Sequence, residues 1–337
     1  MTSQGIYTLA NDVVFDQLVA LLNSIERNVS EKLPIYIIPF DDRLTGVKQE
    51  VAKRPNVELF DDPKAIDRWE TFAQEVWAAH PDAQKKHLSR PPWGKGHHRK
   101  FIAFEGPLER FVYYDADSLA MKPLEALFEQ LNDHDFVYDD WEHRKPDATA
   151  ALNISTITDT QIYSIDQVRR QLHCSSFFGS KSGIFDPEEL DKLQQQLIQD
   201  QEIVWVSRWW DDAFLFNYLT LRCDRSFYNF TQSTNSRDRT GNCADADPFV
   251  NVDNVLYNEQ GQKPIHRIHY MNYASVDFTR LSQGEDVNIR YQDIFLHYRF
   301  MKEPQKKPQE LRPPNILAKG SRKLQEFSKK LQKSLQK

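Results

Sequence analysis

Cysteine is scarce in this chain, and long apolar runs are missing. The three cysteines, Cys174, Cys223 and Cys243, are odd in number, far apart and never in C-x-x-C spacing. That pattern excludes a disulfide framework or a zinc knuckle and fits a reducing compartment. No apolar run approaches the ~20 residues that a membrane span needs. The first residues lack a basic stretch followed by an apolar core, so no secretory leader is expected and the expectation is a cytoplasmic protein. There is no internal repeat and no excess of positive charge. The net charge of -6 argues against nucleic acid as the main partner.

What is present suffices for a packed core: 337 residues, 40% of them hydrophobic and 27% charged. The charge is uneven. Residues 302–337 hold eleven Lys or Arg against three Glu, a net +8, which leaves -14 on the rest. Residues 1–301 are expected to form one globular domain and residues 302–337 a basic, Pro- and Lys-rich tail. In that tail Leu324, Phe327, Leu331 and Leu335 recur at helical spacing. A short basic amphipathic helix of this kind suits docking on an anionic membrane surface or an acidic partner, a peripheral attachment; a solubilising tail is the alternative.

Periodicity gives an α/β order. "GIYTLAND" reads as a strand, and "DVVFDQLVALLNSIERN" as a helix with Phe15, Leu18, Val19, Leu22 and Ile25 on one face and Asp12 as its N-cap. "LPIYIIPFDD" is a continuous apolar strand, as expected for a parallel sheet covered on both faces. "NVELFDD", "RFVYYDAD" and "DFVYDD" read as further strands. Helices are expected over "AIDRWETFAQEVWAA", "KPLEALFEQL" and "FDPEELDKLQQQLIQ", the last with Asp186 as N-cap before Pro187. Residues 231–263 read as a long polar surface loop.

"FVYYDADSLA" is the stretch that carries chemistry. A buried strand runs into Asp115-Ala116-Asp117, and in open α/β sheets ligands bind beyond the carboxyl ends of strands. Two close carboxylates repel unless a positive charge lies between them. Their hard oxygens suit Mn²⁺ or Mg²⁺, with phosphate oxygens completing the shell. A solvated acidic turn is the alternative. The same D-A-D string recurs at Asp245-Ala246-Asp247, but inside a polar loop with no strand before it.

These segments, in this order, resemble the glycosyltransferases of GT-A fold, closest to family 8, the glycogenin type. The resemblance covers roughly residues 5–275. It implies a Rossmann-like, mostly parallel α/β sheet flanked by helices and a Mn²⁺- or Mg²⁺-dependent transfer of a sugar, with retention. The donor would be a nucleotide-diphosphate sugar, UDP-linked, and the acceptor is left open: glycan, lipid or protein. "IYTLANDVVF" is similar to the segment that cradles the nucleotide, which implicates Thr8, Leu9 and Asn11. "HHRKF" resembles the segment whose Lys reaches the donor, which points to Lys100 with Arg99 beside it. Asp115 and Ala116 would also touch the donor. "SSFFGSKSGIF" falls where the family has the small residues lining the sugar pocket, here Ser176 and Gly179. "WWDDAFLFNYL" looks like the start of a helix that carries sugar-binding and catalytic side chains, which gives Asp211 and Asp212. "RIHYMNY" resembles the segment supplying the third metal ligand, which gives His269 beside Asp115 and Asp117.

The sequence departs from the family in two places. Asp212 stands where the family has Gln. Met271, Asn272 and Tyr273 follow His269 where the family has a Gly and then Lys-Pro-Trp, so diphosphate neutralisation would fall to Lys100, Arg99 or another Arg. Alternatives stand beside each residue. His269 suits the core as well as a metal, and His266 competes with it from the opposite face of the strand. Asp211 and Asp212 suit a helix cap, and Trp209 and Trp210 suit either a sugar-stacking face or the core. Two functional alternatives remain: a haloacid dehalogenase-type phosphatase, whose D-x-D normally lies on the first strand, and a catalytically degenerate sugar-nucleotide binding protein.

Overall fold

Residues Gly5 to Ala10 are buried without interruption, and in the computed structural model they form most of β1 (Gln4–Ala10), an interior strand of the sheet. The structure describes residues 3–85, 95–207, 211–235, 248–258 and 261–313. The strands that follow are β2 (Ile35–Pro39), β3 (Val57–Leu59), β4 (Arg110–Asp115), β5 (Ser118–Ala120), β6 (Phe136–Tyr138), β7 (Phe177–Lys181) and β8 (Phe227–Asn229). Next come β9 (Val250–Val252), β10 (Val255–Tyr257) and β11 (Arg267–His269).

Seven of them make one sheet in the order β3-β2-β1-β4-β7-β6-β8. The first four run parallel, as the continuous apolar run of β2 predicts. β7 is inserted antiparallel between β4 and β6, and β8 returns parallel to β6. The sheet is therefore mixed but mostly parallel, with aromatic-rich cores on its two sides.

The helix Phe15–Asn28 buries its apolar face against the sheet, and Asn11 caps the 3-10 turn that leads into it, its side chain accepting the Val13 N–H at 3.0 Å. Asp12, the expected cap, instead accepts the Val47 N–H and so ties a second helix to this turn. The other helices form where expected, Pro63–Ala79 over Trp69, Phe72, Val76 and Trp77, and Pro187–Ile198 capped by Asp186.

The expected loop over 231–263 contains structure that its polarity hides. Asp253 and Asn254, both at positive φ, close a tight hairpin between β9 and β10. At the other end of the chain, the helix Gln292–Arg299 closes back onto Phe15–Asn28 through Asn23 Nδ2 to the Tyr298 carbonyl (2.7 Å) and Arg299 to Asp16 (2.6 Å). Arg312 then exchanges backbone hydrogen bonds with Gly284 and Asp286. Trp209, Trp210, the second D-A-D string and the amphipathic pattern over 324–335 lie outside the described residues. Among the described residues, no helix is long and apolar enough to cross a membrane.

Candidate active site

β1 and β4 run side by side in parallel, so their carboxyl ends open on the same edge of the sheet. A cleft of about 870 Å³ lies there, and its floor includes Asn11, Asp115 and Asp117. After Asp115 the chain makes a tight turn at Ala116 and Asp117 and enters β5, which pairs antiparallel with β11. In that register His269 stands opposite Ser118, next to Asp117. His269 Nε2 lies 3.3 Å from Asp117 Oδ1. Ligand atoms of Asp115, Asp117 and His269 all fall within 4.8 Å of one another, two hard oxygens and an imidazole nitrogen. This set could hold one divalent cation with positions left for phosphate or water. Burial alone would raise the Asp117 carboxyl. The neighbouring His269 and, farther off, Lys100 hold it below the ordinary carboxylate range.

His266, the competing histidine, has gone the other way. It is fully buried, 2.6 Å from Asp139, and burial depresses its basicity. Strand alternation thus separates a core histidine from a cleft histidine three residues later.

Lys100 occupies the centre of the floor on a 3-10 segment, Lys95–Glu105, with its side chain only 3% exposed. Its ammonium contacts Asp212 at 2.7 Å, Asp115 at 3.0 Å and the Ser175 carbonyl at 3.5 Å. Burial works against its charge, but the two carboxylates outweigh it and Lys100 stays firmly protonated. All three of its donors therefore have protein partners, and it joins the Asp115–Asp117–His269 cluster to the helix Asp212–Arg222.

Asp211 and Asp212 divide two roles. Asp211 caps the helix by accepting the Ala213 N–H at 2.9 Å, while Asp212 binds Lys100 and accepts from Ser175 Oγ at 2.6 Å. Asp212 is largely enclosed, its side chain 13% exposed, yet Lys100 and His97 hold its carboxyl far below the usual range. Asp211 is pushed up to about 6, by burial first and then by the Asp212 charge. A raised carboxyl pKa penalises the folded state once the group ionises, so the penalty is absent below about pH 4 and complete above about pH 6. Asp211→Asn keeps the cap and removes the penalty. It is expected to raise the unfolding free energy at pH 7.5 by on the order of 1–2 kcal/mol after solvent screening, and to change it little at pH 4. Denaturant melts at the two pH values check this, and an equal effect at both would contradict it.

The structure brings together Leu9, Asn11, Lys100, Asp115, Ala116, Asp117, Ser176, Asp211, Asp212 and His269 around one cleft. Three expected residues stand apart from it. Thr8, in the middle of β1, is fully buried and does not line the cleft. Gly179 lies in β7 with Leu131 and Val137 packed where a side chain would start. Arg99 turns to Glu70 (2.6 Å) and the Pro39 carbonyl, since successive residues of a 3-10 segment point about 120° apart.

Sequence reasoning missed Ser175, Arg43 and Arg267. Ser175 is adjacent to Ser176 and was visible in the same small-residue stretch. Arg43 lines the cleft, paired with Asp41, which also accepts from the Asn11 amide at 2.9 Å. Arg267 is buried beneath the floor, over the Phe177 ring, and donates to Ser176 Oγ at 2.7 Å. Its position two residues before His269 on β11 was the available signal, since alternate strand residues share a face.

This sheet order, with the acidic turn and its histidine at the carboxyl edge, is that of the GT-A fold, the fold of nucleotide-sugar glycosyltransferases. The chain is similar to the bifunctional glycosyltransferase WbbM in its apo form, with a TM-score of 0.55, 14% identity, and coverage of 92% of this chain and 52% of that one. It therefore spans about half the length of that protein. It is also similar to the galactosyltransferase LgtC, solved with donor and acceptor sugar analogues, with a TM-score of 0.54, 12% identity, and coverage of 88% of this chain and 95% of that one. No protein-family profile and no curated protein sequence matches it. At such identities the likeness establishes the fold, and the chemistry has to be argued from the site.

Proposed function

We propose that this chain is a metal-dependent glycosyltransferase that moves a sugar from a nucleotide-diphosphate sugar to an acceptor hydroxyl. The observation that carries the reading is the cluster of Asp115, Asp117 and His269 on the floor of the cleft, coupled through Lys100 to Asp212. A sugar nucleotide supplies the negative charge that such a cation site needs, and the cleft is large enough for one. A cation held there supplies Lewis-acid stabilisation of the leaving diphosphate.

The chain's own residues do the rest. Asp115, Asp117 and His269 hold the cation, and Lys100 fixes Asp115 so that one carboxylate serves both. Arg43, at the wall of the cleft, adds a cation on the side of Asn11. Asp212, anchored by Lys100 and Ser175, accepts hydrogen bonds from hydroxyls of the donor sugar and orients it. Asp211, beside it and half-buried, faces the space where the acceptor enters. We favour a uridine nucleotide, Mn²⁺ and retention of configuration, supported by the resemblance of the sequence to family 8, and a cytoplasmic setting, for which the three scattered cysteines of the sequence are the argument.

The phosphatase alternative loses its support, since the D-x-D follows the fourth strand of a GT-A sheet. A panel of nucleotide sugars incubated with the protein and Mn²⁺, with release of nucleoside diphosphate measured, tests the proposal. Cation-dependent release from one donor is expected. Tight nucleotide binding without release from any donor would favour the binding-protein alternative, and neither binding nor release would defeat both.

A further inference from the structure

A second hollow, of about 620 Å³, lies across a thin wall from the cleft. The wall is the 3-10 turn Glu142–Arg144 with its flanking residues. Glu142 and Lys145 line the cleft, whereas His143 and Arg144 line the second hollow. Tyr228 and Gln232, at the edge of β8 and just beyond it, form the opposite side, and Arg170 closes one end.

The walls are fastened to each other. Arg169 donates to the carbonyls of His143 (3.4 Å) and Lys145 (3.1 Å), which pins the turn to the helix Ile165–Gln171. Gln232 Nε2 donates to the Arg170 carbonyl at 2.7 Å. Asn229 Nδ2 and Thr231 Oγ1 both donate to the Asp140 carbonyl, at 3.1 and 2.5 Å, two residues before the turn. The hollow is therefore braced on three sides, as a binding site must be if ordering it is not to consume the binding energy.

Its charge sets it apart from the rest of the molecule. The chain without its tail carries -14, and carboxylates crowd the neighbouring cleft. The second hollow is lined by two arginines and a histidine and by no Asp or Glu. Arg169 finds Asp147 nearby, but Arg144 and Arg170 make no ion pair among the described residues. Arg144 is instead laid over the Trp141 ring at 4.3 Å, which restricts its guanidinium without neutralising it. Guanidinium groups are built to grip carboxylates and phosphates in pairs of hydrogen bonds, and here two are left without such a partner beside one cavity. Tyr228, stacked on His134 and half-exposed, offers an aromatic face at the same place.

We propose that this hollow binds an anionic substituent of the acceptor, a phosphate monoester or a carboxylate on a sugar, and so holds the acceptor across the turn from the transfer cleft. The word acceptor rests on the transferase reading; the anion site does not. The mechanism it implies is simple. The acidic cleft repels an anionic acceptor, and a basic hollow one turn away captures its charged group while leaving a neutral hydroxyl to enter the cleft.

Calorimetric titration at low ionic strength tests this on the full chain and on the double variant Arg144→Gln/Arg170→Gln. Both side chains are exposed, so the fold is expected to survive. The probes are glucose 6-phosphate, glucuronate, glucose and inorganic phosphate, with UDP plus Mn²⁺ titrated in parallel. Glucose 6-phosphate or glucuronate should bind at least tenfold more tightly than glucose. The double variant should lose that advantage and keep its UDP affinity. The first two probes distinguish a phosphate from a carboxylate ligand. Equal affinity for charged and neutral sugars, unchanged binding in the double variant, or competition with UDP overturns the proposal. Inorganic phosphate binding as tightly as the sugar phosphate overturns the acceptor assignment. Failure of the transferase reading shows separately, as absence of turnover with every donor in the wild type.

Discussion

Lys100→Met is expected to lower the unfolding free energy by about 3–5 kcal/mol, a typical cost of removing one partner from a buried ion pair. The Lys100 ammonium is the shared counter-ion of Asp115 and Asp212, and both carboxylates lie within 3.0 Å of it. Without it, Asp212 keeps the Ser175 hydroxyl and the weaker influence of His97 beside the Asp211 carboxyl, so its own carboxyl should rise toward and past the ordinary range. Stability should then fall as pH rises through that new value, the reverse of the wild-type contribution. In the wild type the depressed Asp212 adds stability above the unfolded carboxylate range near pH 4 and loses it only in stronger acid. The double variant Lys100→Met/Asp212→Asn should recover a large part of the loss. Urea melts of the three proteins at pH 5 and pH 8 measure this. A single variant as stable as the wild type would mean that Lys100 is not what holds these carboxylates together.

Asp117→Asn is expected to abolish the contribution of Mn²⁺ to UDP affinity, a loss on the order of 100-fold or more, since even an outer partner of a metal ligand costs 10–100-fold. The substitution keeps size and removes charge from one member of the three-residue cluster. His269→Ala should act in the same direction. Asp247→Asn, in the second D-A-D string, supplies a sequence-matched control that should behave like the wild type. Titration of UDP with Mn²⁺ and with a chelator gives the comparison. If Asp117→Asn retains the full metal-dependent gain, the cluster is a structural turn and the transferase proposal loses its foundation.

Much of this is legible in the sequence itself. The parallel half of the sheet was readable because strands buried on both faces must be apolar throughout, as "LPIYIIP" and "RFVYYD" are. The acidic turn was readable because two carboxylates directly after a buried strand break that pattern. The directions of side chains on non-repeating backbone were not readable. Lys100 and Arg99 are neighbours, yet a 3-10 segment sends one to the cleft floor and the other to Glu70. The antiparallel insertion of β7 was hidden because "SSFFGS" is mixed in character and strand order depends on long-range pairing. Ser175 and Arg267 gain their places from partners remote in sequence, Asp212 and Ser176, whereas Arg43 is held by nearby Asp41 and only the fold brings that pair to the cleft.

The ribbon of β5 and β11 has a consequence for how the protein is made. Asp117 and His269 come from the first and last parts of the fold, and only the pairing of these two short strands brings them together. A ribosome must therefore release nearly the whole globular region before the three ligands can meet, however early β1 to β4 assemble. Such late, long-range closure costs chain entropy that the proposed cation, once bound, would offset. Nascent chains stalled short of residue 269 should carry a folded sheet without the completed Asp115–Asp117–His269 cluster, so if the proposed cation binds there, its affinity would report that synthesis has passed β11.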